Sequence, residues 1–308
     1  MPKASLGTSE ASLVRTVSGS RAPSAIDGAI LPREHLRSDM RRAAGVASDP
    51  HLWLDEEQEV TRELCGLRQS DRLGLVVELS CIGMGRDAAA LARVTAGSRV
   101  AVVAGTGFFA GPFTPSWALE ADVDTLTAHL LTEIDNGLDG TSARPGVIGE
   151  IGIWGREPTP AEERCAIAAA RASLVSGLPV AIHHRGGPAL LETLLRAGLP
   201  AHRISVADAG TDPALPRKIV ESGAYVCLTS LGADRLRQAL ELIEAGYAHR
   251  LLLSSGLSKV SEIERYGGAG YSHLFRTFLP RLREAGVGEE TISMITHDNP
   301  LRWLTCLE

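Results

Sequence analysis

The chain has 308 residues, 44% of them hydrophobic and 22% charged, and a formal net charge of −6. That balance suits a globular protein, and an acidic chain with no Lys/Arg cluster offers no nucleic-acid surface. No apolar stretch approaches the roughly 18 residues that a membrane helix needs. The five cysteines (Cys65, Cys81, Cys165, Cys227 and Cys306) are odd in number and lack CxxC spacing, which suits buried thiols in a reduced cytoplasmic protein.

Residues 1–12, rich in Ser, Ala and Gly without an apolar run, are expected to be disordered and do not read as a secretory leader. Residues 13–308 read as one domain. Short β-rich runs recur at Ala29–Pro32, Gly74–Ser80, Arg99–Gly105, Gly146–Ile151, Pro179–His184, Arg203–Ala207, Ala224–Thr229 and Arg250–Ser254. Most are continuously apolar, the mark of parallel strands covered on both faces. Helical periodicity fills the gaps, at Arg86–Ala96 and at Glu120–Asn136 with Val123, Leu126, Leu130 and Ile134 on one face. Thr159-Pro160-Ala161-Glu162 supplies a cap, a first-position proline and acids for a helix that stops at Gly177. Further helices are predicted at Gly187–Ala197, Pro213–Ser222, Ala233–Ala245, Ser272–Ala285, Glu289–Thr296 and Pro300–Cys306. Eight strands alternating with helices predict an α/β fold, a closed (β/α)8 TIM barrel, with Leu36–Leu73 forming extra helices over one end. An open doubly wound sheet would want a Gly-rich phosphate loop where Pro32-Arg33-Glu34-His35 stands.

In such barrels chemistry lies at the C-terminal ends of the strands. Those ends carry Arg33 and His35, Ser80 and Cys81, Thr106, Glu150, His183 and His184, Asp208, Thr229, and Ser255 with Gly256. His35, Glu150, His183 and Asp208 thus converge from four strands, and neutral imidazoles with carboxylates are the donors of zinc-like ions. Glu150 ends a buried apolar run, where a lone carboxylate needs a partner. Plainer roles compete. His35 suits a loop cap, Asp208 a turn, and Cys81 an inert buried thiol. Only one of His183 and His184 faces the barrel, because neighbouring strand residues alternate.

These residues resemble the phosphotriesterase-related branch of the amidohydrolase superfamily, from Thr16-Val17-Ser18-Gly19 to Asp298-Asn299-Pro300. The motifs that carry the resemblance are Gly83-Met84-Gly85-Arg86-Asp87, Gly105-Thr106-Gly107-Phe108, Gly149-Glu150-Ile151-Gly152 and Tyr266-Gly267-Gly268-Ala269-Gly270-Tyr271. The resemblance implies a barrel with two divalent metals bridged by a carboxylate, whose metal-bound hydroxide attacks phosphoesters, lactones or related carbonyls. The ligands carry over in part. In the first-strand His-x-His the first His is Arg33 and the second His35; the bridging position is Glu150 and the fifth-strand His is His183. The sixth-strand His is replaced by Asp208, the eighth-strand Asp by Gly256 and the His before that Asp by Ser255.

A permanently charged guanidinium therefore stands where one cation would be. Two unit charges 4 Å apart repel by about 4 kcal/mol at an effective dielectric near 20. Arg33 is expected to replace that metal and pair with Glu150. The remaining donors Glu150, His183 and Asp208, with His35 as auxiliary, suit one zinc, manganese or iron ion, whereas one arginine between two carboxylates is nearly neutral with none, and the balance favours none. The expected activity is hydrolysis of a small lactone, ester or amide by Arg33, Glu150, His183 and Asp208, with His35, His184, Ser255 and Cys81 lining the substrate. A metal-free lyase, cyclase or isomerase, or an inactive barrel with a binding role, are the alternatives. The expected partner is a small molecule, not nucleic acid or membrane, and a homodimer is compatible with the family.

Overall fold

A computed structural model describes residues 13–41, 52–183, 187–208 and 212–307, excluding the side chain of Asp208. The N-terminal stretch expected to be disordered lies outside these residues. The eight barrel strands are β1 (Ala29–Glu34), β2 (Leu73–Glu78), β3 (Ala101–Thr106), β4 (Val147–Ile151), β5 (Val180–Ile182), β6 (Ile204–Asp208), β7 (Tyr225–Leu228) and β8 (Leu251–Leu253). They form one sheet in chain order, and every neighbouring pair is parallel. The helices α1 (Glu57–Ser70), α2 (Ala88–Ser98), α3 (Val123–Asn136), α4 (Pro160–Ser176), α5 (Gly187–Arg196), α6 (Leu215–Glu221) and α7 (Ala233–Glu244) follow β1 to β7 in turn. The stretch between Leu36 and Leu73 holds α1, which packs on α2 and β2, and a two-stranded ribbon of Ser38–Asp39 with Trp53–Leu54. The C-terminal helices differ from a plain α pattern. Leu274–Phe278 and Met294–Asp298 are π-helical turns running into Leu279–Glu284 and Asn299–Thr305.

Helix ends obey local chemistry. Thr159 and Glu162 form the expected reciprocal capping box at α4, and Gly177 ends it in the left-handed region at φ 76°. The second oxygen of Glu162 takes the amides of Gly111 and Trp154, so this cap also ties down the loops after β3 and β4. Side chains sort into two layers. Ile30, Leu75, Val77, Val103, Val147, Ala181, Tyr225, Cys227 and Leu252 fill the barrel interior, whereas Leu31, Val76, Val102, Ile148, Val180 and Ile182 face the helices. Val14, from a short hairpin of Val14–Thr16 and Gly19–Arg21, and Trp303 join the interior cluster. No helix among the described residues is long and apolar enough to cross a membrane.

The seam between β8 and β1 closes differently from the other joints. It is stitched by a side chain rather than by a strand ladder. The carboxylate of Glu34, with no exposed surface, accepts from the Ser254 hydroxyl (2.7 Å) and from the amides of Gly256 (2.9 Å) and Leu257 (2.8 Å). Ser254 Oγ in turn accepts the Arg33 amide at 3.0 Å, and the His35 amide donates to Leu257 O at 3.0 Å. Burial pushes the Glu34 carboxyl up, and these donors and nearby Arg33 oppose that push. Glu34 thus fixes the backbone that presents Arg33 and His35.

A candidate active site at the strand ends

β1 ends on Arg33 and Glu34 with His35 just after it, β2 on Glu78, and β4 carries Glu150 one residue before its last. Gly149 makes that placement possible. A Cβ there would stand 2.5 Å from Ala181 O, so only glycine lets β4 and β5 pack this closely. Arg33 turns inward onto Glu150. Its Nε donates to Glu150 Oε1 at 2.9 Å, and Nη2 donates to the same oxygen. Its third nitrogen, Nη1, bonds to no described residue. The ion pair is buried, with 9% of the Arg33 side chain and 1% of that of Glu150 exposed.

Burial alone would raise the Glu150 carboxyl, and it is the largest single influence. The charges of Arg33 and His183, with the His35 contact, outweigh it and hold the group well below the usual carboxylate range. For Arg33, burial opposes the charged form most strongly, but Glu150 prevails and the guanidinium stays charged. His35 lies between two acids. Its Nε2 is 3.6 Å from Glu150 Oε2, and its Nδ1 is 2.9 Å from Ser80 Oγ and 3.9 Å from Glu78 Oε1. Glu78 has no exposed surface. Its Oε1 accepts the Ser80 amide at 3.2 Å, while Oε2 has no hydrogen-bond partner among the described residues. Desolvation, partly offset by His35 and Ser80, pushes this carboxyl up to about 7. His183, 8% exposed, lies edge-on to Phe109 with ring centres 4.9 Å apart.

The structure thus brings Arg33, His35, Glu150 and His183 into one mouth. Asp208 occupies the end of β6, opposite Leu228 in register, but its side chain and the whole of His184 lie outside the described residues. Cys81, expected along the substrate, has no exposed surface with which to line it. Cys81 is fully buried beneath Glu150, its thiol 3.4 Å from Glu150 O and 3.6 Å from Met84 Sδ, and burial holds that thiol far above its ordinary range. Ser255 turns to the loop that follows, donating to Tyr271 O at 3.1 Å and accepting the Leu274 amide at 3.4 Å. It lines a cleft of about 490 Å³ with Gly256, Leu257, His273 and Arg281. Glu78 was not among the residues expected here. Its signal was the same as that of Glu150, an apolar run closing on one acid: Leu73-Gly74-Leu75-Val76-Val77-Glu78.

The two-metal centre implied by the sequence does not fit these residues. A divalent ion takes four or so donors, whereas one oxygen of the bridging carboxylate is occupied by the guanidinium. The eighth-strand ligand position is Gly256, at φ 76°, where a Cβ would stand 2.8 Å from Thr229 Cβ and 3.6 Å from Arg33 Nη1. The Arg33 side chain therefore borders the volume that a carboxylate at 256 would enter. Among the described residues no group of three or more His, Cys, Asp and Glu side chains is placed to hold a metal.

Comparison with known proteins adds to this geometry. The phosphotriesterase family matches residues 12–304. The phosphotriesterase homology protein of Escherichia coli (strain K12) is 30% identical over 285 residues, covering 89% of this chain and 96% of that protein. N-acetyltaurine hydrolase of Pongo abelii is 28% identical over 280 residues, covering 83% and 80%. The crystal structure of the Escherichia coli protein, complexed with phosphate in its active site, matches with a TM-score of 0.86 and 28% identity, covering 91% of this chain and 99% of that one.

Proposed function

The chain belongs to the phosphotriesterase family, and from that membership we propose that it hydrolyses a small carbonyl compound (an amide, ester or lactone) in a mouth rebuilt around an arginine. The observation that carries this reading is the guanidinium of Arg33, bound to Glu150 through Nε and Nη2 while Nη1 bonds to no described residue. A substrate carbonyl oxygen meeting Nη1 would find a donor whose charge is already held in place, and a fixed donor stabilises an oxygen that becomes negative during attack. Glu150 keeps Arg33 aimed, and His183 sits beside it with its ring braced by Phe109. N-acetyltaurine hydrolases act, by name, on an N-acetyl amide, which puts small N-acyl compounds first among the candidates. Asp208 and His184 remain candidate site residues. The five cysteines are free, which suits a reducing compartment such as the cytoplasm.

The test is a panel of N-acyl amino acids, N-acetyltaurine, γ- and δ-lactones and aryl acetates, followed by product analysis with and without a strong chelator. The reading expects turnover of at least one compound, unchanged by chelator and reduced at least a hundredfold in Arg33→Met. Absence of turnover across the panel, or turnover that vanishes with chelator and returns with metal, overturns it.

A further inference from the structure

The loops after β7 and β8 enclose the cleft of about 490 Å³, and side chains tie its walls together. His273 donates from Nε2 to Leu231 O at 2.9 Å, which joins the later loop to the earlier one. Leu231 and Leu257, both buried, give the cleft an apolar lining. A concave site of this kind, apolar with a few placed polar groups, is where small molecules bind. Gly256 lines the cleft too, and a Cβ on it would stand 3.6 Å from Arg33 Nη1, so this residue borders both the cleft and the guanidinium. Two charged side chains, Glu262 and Arg281, also line it. Glu262 is turned onto its own loop, where Oε2 accepts the amides of Ser258 (2.7 Å) and Lys259 (3.0 Å). Arg281 is different. The arginines on either side of it along the chain are paired, Arg276 with Glu264 at 3.2 Å and Arg283 with Glu289 at 2.6 Å. Arg281 makes no ion pair or hydrogen bond with any described residue. A free guanidinium presents a fork of donors with a permanent charge, which fits the oxygens of a carboxylate or a sulfonate.

We infer that this cleft is a subsite for an acidic group on the substrate, and that Arg281 is the residue that selects it. This rests on the hydrolytic reading above and narrows the substrate to a small acyl compound that carries a carboxylate or sulfonate. With the carbonyl oxygen at Arg33 Nη1, the rest of the molecule passes Gly256 into the cleft and its acidic end meets Arg281. The two arginines then have separate tasks. Arg33, buried and aimed by Glu150, faces the reacting carbonyl, whereas Arg281, exposed and unpaired among the described residues, reads charge. Solvent screens an exposed pair, so the selectivity is modest, about fivefold. It belongs to KM rather than kcat, because a contact remote from the reacting bond is made equally in the ground and transition states.

The probes are unreactive ketones in which a methylene replaces the amide nitrogen. 5-Oxohexanoate and 4-oxopentane-1-sulfonate carry the acid, and 6-hydroxyhexan-2-one is their neutral counterpart. Calorimetric titration of the full chain should show the acids bound about fivefold more tightly than the alcohol, with the difference shrinking at high salt. Arg281→Gln should remove that preference and Arg281→Lys should keep part of it, and both variants should melt with the parent because Arg281 bonds to no described residue. A preference for one acid alone supports the subsite and assigns it to that group. Equal binding of acid and alcohol, a preference that survives Arg281→Gln, or no binding of any ketone overturns the inference. These results need no turnover. If no panel compound is hydrolysed, the hydrolytic reading falls while the binding of acidic ketones through Arg281 stands or fails by itself.

Discussion

Arg86 and Arg33 are both buried arginines that hold carboxylates at the strand ends, but every nitrogen of Arg86 is engaged. Its Nε meets both oxygens of Asp139 (3.1 and 3.2 Å), Nη1 meets Gly105 O (3.3 Å) and Glu133 (3.1 Å), and Nη2 meets Glu133 (2.7 Å) and Asp139 (2.8 Å). Asp139 also takes the Ala88 amide, and Glu133 the Thr106 hydroxyl. Around Arg33 the bonds stop short. Among the described residues Nη1 reaches no partner, Glu150 Oε2 stands 3.6 Å from His35, and Glu78 Oε2 has no partner. A closed network rigidifies a fold, whereas buried polar groups left under-satisfied keep donor and acceptor capacity for a solute. The Gly83–Asp87 motif that carries Arg86 is therefore a structural tie, whereas the proposed chemistry belongs to β1 with β4.

The strongest way to break this contrast is to cut each arginine. Arg33→Met leaves Glu150 buried and unpaired and should cost about 3–5 kcal/mol in urea unfolding, with activity lost. Pairing it with Glu150→Leu should recover most of that stability and none of the activity. Arg86→Met should lose a similar amount of stability, while the folded fraction keeps its turnover. If Arg33→Met is neutral in stability, the ion pair is not what the geometry indicates. Acid should act on the same pair. The Glu150 carboxyl is lower in the folded chain than in the unfolded one, so its stabilisation is present above the ordinary carboxylate range and disappears as pH falls below it.

Glu78 should behave in the opposite sense. Its folded carboxyl titrates at about 7 against 4.5 for the free group, so the folded chain keeps a proton that the unfolded chain has released. Stability should therefore decline as pH rises from about 4.5 to 7, on the order of 3 kcal/mol for this group alone. Glu78→Gln should flatten that slope in thermal melts recorded across the interval; an unchanged slope assigns it to another group. The smallest effect is expected at Gly256→Ala, destabilising by roughly 1–2 kcal/mol, because a non-glycine residue at φ 76° is strained and its Cβ meets Thr229 at 2.8 Å. An aspartate introduced there meets the same obstruction, so restoring the eighth-strand ligand requires a smaller residue at 229 as well.

Much of the fold is written in local pattern. Continuous apolar runs such as Val180–Ile182 and Leu251–Leu253 are the mark of strands covered on both faces, and the Thr159–Glu162 box fixes the start of α4. The inward turn of Arg33 was legible from charge alone, because a guanidinium at a buried strand end beside Glu150 has few other partners. Other features depend on contacts distant in sequence. β1 runs on through Glu34 because that carboxylate finds Ser254, Gly256 and Leu257, more than 200 residues away. Cys81 reads as a strand-end thiol until β4 is laid over it. Ser255 turns outward because Tyr271 and Leu274, in a later loop, receive it. The importance of Glu78 emerges only when His35 is placed beside it.

The most direct test of the central claim, that a guanidinium holds the seat of a lost cation, is elemental analysis of the purified full chain alongside Arg33→His. The account predicts well under one zinc, manganese or iron atom per parent chain, and no loss of folding or turnover in chelator. About one or more metal atoms per parent chain, removed by chelator together with activity and unaffected by Arg33→His, would contradict it.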